Sequence, residues 1–68
     1  FEHFFQRVRA RTGTRSAGPP WELFERHPRI APADLERLRA WYADAHAARR
    51  VPLRRLHNLI VRVESRFA

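Results

Sequence analysis

The stretch Val51-Pro-Leu-Arg-Arg-Leu-His-Asn-Leu-Ile-Val-Arg-Val-Glu-Ser-Arg-Phe67 (VPLRRLHNLIVRVESRF, residues 51–67) decides how the chain is read. Leu53, Leu56, Ile60, Val63 and Phe67 repeat at the a and d spacing of a heptad, and Leu59 widens that face. Pro52 suits the first position of a helix, where its missing N–H costs nothing. The pattern predicts a helix over 52–67. An arginine collar surrounds its start, with Arg49 and Arg50 just before it and Arg54 and Arg55 in its first turn, and no acid occurs between Asp44 and Glu64.

The preceding stretch carries the same periodicity. Leu35, Leu38, Tyr42 and Ala45 fall at a and d spacing, with Trp41 and Ala48 widening the stripe. Pro32 at the first position, Asp34 in the first turn and an Ile30–Leu35 hydrophobic staple mark the start. They predict a helix over 32–49. Two such helices joined by a tight turn at Arg50-Val51 must be antiparallel neighbours. In that register Ala45 faces Leu56, Tyr42 faces Leu59 and Leu38 faces Val63. It also sets Arg39 against Glu64 and His46 against His57.

Upstream, Phe1, Phe4, Phe5 and Val8 lie at i, i+3, i+4 and i+7, the spacing of one helical face. This predicts a helix over 1–12, with Gly13 as its cap. Residues 13–19 read as a linker, because Gly18-Pro19-Pro20 interrupts regular structure. A short helix over 20–27 follows, with Trp21, Leu23 and Phe24 on its inner side and Pro28 ending it. The predicted fold is all-α: a small helical domain built on an antiparallel helix hairpin, with an N-terminal aromatic helix and a short connecting helix.

Composition narrows the function classes. At 68 residues the chain makes one domain, and a domain this small buries only about 60% of its unfolded surface. It has no cysteine for a disulfide, which leaves oligomerisation or docking on a partner as the remaining staple. The chain is therefore expected to work as an oligomer or as a subunit of a larger assembly. The absence of cysteine points to an intracellular, reducing compartment. No apolar run approaches the ~20 residues of a membrane span. Methionine is absent as well, which predicts a processed product or a piece of a larger protein.

The net charge is +7, and all 14 basic residues are arginine. A GC-rich genome gives such a bias, and so does selection for bidentate contacts to phosphate or carboxylate. Position favours the second at the collar. A helix N-terminus carries partial positive charge, and Val51 offers no side-chain acceptor to cap it. Four arginines gathered there call for an anion: a phosphate, an acidic side chain or an anionic lipid head. A second cluster, Arg55, Asn58, Arg62 and Ser65 with Val61 among them, forms a polar stripe on the last helix. Arginine and asparagine are residue types that read base edges and phosphates. The long preceding helix and a turn without glycine argue against a helix-turn-helix.

No catalytic constellation is present. Ser16 and Ser65 lack a histidine–carboxylate pair, and the acids form no dyad. His46 and His57 alone fall short of a metal site, which needs three or four ligands. No cofactor or metal is expected, and the chain reads as a non-enzyme. The function expected is a docking or assembly module that binds an acidic or phosphorylated partner through Arg49, Arg50, Arg54 and Arg55. The alternative is a nucleic-acid-binding domain using mainly phosphate contacts.

Overall fold

The computed structural model describes residues 1–15 and 17–68, so Ser16, in the predicted linker, lies outside the described residues. Four helices follow in order: α1 Glu2–Thr12, α2 Trp21–Arg26, α3 Pro32–His46 and α4 Leu53–Ser65. No strand occurs among the described residues. The third helix packs on the fourth, the first on the fourth and the second on the third. The radius of gyration is 11.5 Å, close to the roughly 11 Å of a well-packed chain of this length.

The core is largely aromatic at its N-terminal side. Phe4, Phe5 and Val8, the predicted inner face of α1, are buried together with Phe24, Ile30, Leu38, Leu56, Leu59 and Val63. Phe5 sits at the hub: its ring meets Phe1, Phe4, Trp21, Phe24 and Tyr42 at centroid separations of 5.8, 5.3, 5.7, 6.3 and 5.5 Å. Phe4 and Phe24 stack almost parallel at 5.7 Å. Tilted and edge-to-face pairs of this kind add to the area term because the ring edge is electropositive and the face electronegative.

The ends of the helices depart from the sequence-based boundaries. The sequence pattern predicts the last two helices over 32–49 and 52–67, and each is shorter in the structure. α3 stops at His46 because the chain turns into a left-handed residue two positions on, Ala48 at φ 55°. The Ala48 N–H donates to the Ala45 carbonyl at 3.2 Å and the Arg49 N–H to the Asp44 carbonyl at 2.8 Å. These are the two bonds of a Schellman cap, made here with alanine where glycine is usual. α4 starts at Leu53, so Pro52 rather than Val51 is its cap residue. The connection is therefore a six-residue loop, residues 47–52, and not a tight turn at Arg50-Val51.

Gly13, just past α1, takes the same left-handed conformation at φ 70°, and the Thr14 N–H donates to the Arg9 carbonyl at 3.0 Å. The two caps make a matched pair. A left-handed non-glycine residue costs roughly 1–2 kcal/mol, so Ala48→Gly is expected to stabilise the chain by about 0.5–1 kcal/mol once the entropy of glycine is subtracted. Gly13→Ala is expected to destabilise by a similar amount, although a Cβ there meets nothing within 4 Å. Thermal melts of the two variants check the opposite signs.

Two flank pairings differ from the expected register. Arg39 does not meet Glu64. It pairs with Glu25 of α2 and lies 5.7 Å from the centre of the Trp21 ring. Glu64 instead takes Arg7 of α1, and this hydrogen bond raises the Arg7 pKa above its ordinary value. His46 stands edge-on to Tyr42 at 4.4 Å instead of meeting His57. The short-helix side reaches across to recruit Arg39, which a two-helix reading leaves out.

The C-terminal end is tied down by His27. The Arg29 N–H donates to His27 Nδ1 at 3.2 Å, and Nε2 lies 3.1 Å from the Arg66 carbonyl. Because Nδ1 accepts, the network assigns the proton to Nε2, which donates to Arg66. The His27 ring also meets Phe67 at 4.7 Å. No described helix is long and apolar enough to cross a membrane.

Candidate functional site

The arginines of the collar separate in the structure. Arg49 turns back to Asp44 of α3, 3.8 Å away. Arg50 and Arg54 are exposed and form no ion pair among the described residues. Arg55, one residue further along α4, turns to another side of the helix and lines a groove between α3 and α4. The collar is thus a pair of solvated arginines, one paired arginine and one arginine that belongs to a different surface.

The groove has a volume of about 490 Å³ and is lined by Arg37, Trp41, Arg55, Asn58, Leu59 and Arg62. Arg37 and Trp41 are one helical turn apart on α3 and so share a face. Arg55, Asn58 and Arg62 share a face of α4 for the same reason. Leu59 is buried and Trp41 is half-buried, and both are packed in or against the core. Rigid packing behind these two residues holds the apolar part of the groove in place, and the polar side chains stand at its open side.

Of the predicted polar stripe, Arg55, Asn58 and Arg62 come together here. Val61 and Ser65 do not line the groove. Val61 is 51% exposed, and the Ser65 hydroxyl donates to the Arg62 carbonyl at 2.7 Å. The spacing of the sequence does not by itself mark Arg37 and Trp41 as site residues, yet both line the groove. The signal was available in part: Trp41 and Leu59 both widen their stripes toward one side, and that side is where the groove lies.

The electrostatics of the groove are uneven. Arg62 is held in a fork on Asp34, with Nε and Nη2 each 3.0 Å from a carboxylate oxygen. That pair spans from the first turn of α3 to the last turn of α4 and neutralises Arg62 locally. Neither Arg37 nor Arg55 forms an ion pair among the described residues. Two guanidiniums, each with a planar set of donors suited to carboxylate or phosphate, therefore line one groove without a protein counter-ion.

The described residues contain no group of three or more metal-ligating side chains. No family model, no curated protein and no solved structure matches the chain, so a functional reading rests on the geometry of this groove.

Proposed function

We propose that the chain is a non-catalytic helical docking module that binds an acidic or phosphorylated segment of a partner protein. In this reading α3 and α4 form an antiparallel hairpin, and the ligand lies in the groove along it. One observation carries the reading: Arg37 and Arg55 line the same groove, beside Trp41 and Asn58, with no acidic partner of their own. Five of the fourteen arginines meet a carboxylate among the described residues: Arg7, Arg9, Arg39, Arg49 and Arg62. Among those that do not, Arg37 and Arg55 are set apart by lining one groove beside Trp41, which suits a ligand anion. Arg50 and Arg54 add long-range attraction, which speeds encounter more than it strengthens the final contact.

A glutamate-rich peptide tests this by titration calorimetry. The Arg37→Ala/Arg55→Ala chain is expected to bind about tenfold or more weakly, because two charge-assisted hydrogen-bond sites are lost. Arg50→Ala/Arg54→Ala is expected to cost only a few-fold and to flatten the salt dependence. Undiminished binding by the groove variant rejects the reading.

Trp41 beside Arg55 and Asn58 also favours a second reading, a nucleic-acid site in which a base stacks on the indole and arginine holds phosphate. A single-stranded oligonucleotide that displaces the peptide at physiological salt, and binds more tightly than it, selects this alternative.

A further inference from the structure

We infer that the ligand of the groove is a phosphate monoester carried on an aromatic ring, namely a phosphotyrosine side chain of the partner protein; this rests on the docking reading above and names its ligand. The first argument is charge. Arg62 is already neutralised by Asp34, which leaves the two charges of Arg37 and Arg55. A phosphate monoester at neutral pH carries a charge of about −1.5 to −2 and three strong acceptor oxygens. One dianion therefore matches the groove, where a single carboxylate leaves half of the charge unmet.

The second argument is donor geometry. Arg37 stands on α3 and Arg55 on α4, and both line the groove, so an anion bound between them is to be met from two sides. A tetrahedral phosphoryl group has oxygens to offer in both directions, and a planar carboxylate has two oxygens in one plane. The Asn58 amide supplies a further neutral donor at the same face.

The third argument concerns the group that carries the phosphate. Trp41 and Leu59 form an apolar wall in the same groove, and an indole stacks well on another ring. The groove volume of about 490 Å³ lies in the range of small-molecule sites, roughly 300–1,000 Å³. That is ample for one phosphorylated ring. A phosphoserine side chain places its phosphate close to the peptide backbone and leaves the Trp41 wall uncovered.

Fluorescence anisotropy with four versions of one labelled peptide tests the inference: phosphotyrosine, tyrosine, phosphoserine and glutamate at the same position. The phosphotyrosine peptide is expected to bind at least about tenfold tighter than the tyrosine and glutamate versions, as charge-assisted bidentate contacts imply. It is expected to bind several-fold tighter than the phosphoserine version, because only the ring reaches the indole. Arg37→Lys/Arg55→Lys keeps the charge and removes the forks. It is expected to lose about tenfold for phosphotyrosine and much less for the glutamate-rich peptide, and circular dichroism of this surface variant verifies an unchanged fold.

Equal binding of the phosphotyrosine and glutamate versions overturns the inference and leaves acidic docking intact. Equal binding of phosphoserine and phosphotyrosine overturns it too, since the aromatic part then contributes nothing. A single-stranded oligonucleotide that outcompetes the phosphotyrosine peptide also overturns it. Failure of every acidic peptide to bind removes both this inference and the docking reading.

Discussion

Phe5→Ala is expected to lower the midpoint of thermal unfolding by more than about 10 °C or to abolish the cooperative transition. Phe5 is 1% exposed and its ring contacts five others drawn from α1, α2, α3 and the residue before α1. Truncating a buried phenylalanine costs about 3–5 kcal/mol from lost transfer energy and the cavity left behind. A folded chain of this length has roughly 3–10 kcal/mol to lose. The cavity cannot easily collapse, because Phe4 and Phe24 already stack on each other. Differential scanning calorimetry and near-ultraviolet circular dichroism check the outcome. A sharp transition displaced by only a few degrees shows that the aromatic hub contributes little.

Val63→Asp is expected to unfold the chain, and Val61→Asp to leave its stability nearly unchanged. The two valines stand two residues apart on α4, yet Val63 is 1% exposed and Val61 is 51% exposed. At Val63 an aspartate is either buried as an unpaired charge or protonated at neutral pH, and either costs several kcal/mol. At Val61 the carboxylate stays in water, and surface substitutions of this kind stay within about ±0.5 kcal/mol. Because Val61 does not line the groove, the same variant is also expected to retain binding of an acidic peptide. Chemical denaturation of both variants measures the contrast. Equal destabilisation by the two shows that the burial of α4 is set on a different face.

The candidate groove was legible only in part. Arg55, Asn58 and Arg62 share a helical face by spacing alone, and that much follows from 3.6 residues per turn. Arg37 and Trp41 come from another helix, and their approach depends on how α3 rolls against α4. Trp41 reads as core because large aromatic residues at stripe positions usually are core. Its partial burial serves both roles, with one part packed against the core and another lining the groove. The division of the collar was also hidden. Arg54 and Arg55 are adjacent in sequence but about 100° apart around a helix, so one remains in solvent and the other lines the groove. Arg49 reaches Asp44 because the Schellman cap folds the chain back over the end of α3.

The sequence by itself determined the all-helical class, the number of helices and most of their inner faces. Those properties follow from local rules: apolar spacing, proline at or beside helix starts, and glycine where the chain must turn left-handed after α1. The tertiary structure alone decided where α3 ends, which acids the arginines meet and what lines the groove. Ala48 shows why. Nothing about alanine marks a left-handed residue, so its conformation comes from the packing that joins α3 to α4. Arg39 shows the same dependence. Its choice of Glu25 over Glu64 rests on α2 lying against α3, and long, flexible side chains follow such placement because exposed ion pairs differ from one another by less than about 1 kcal/mol.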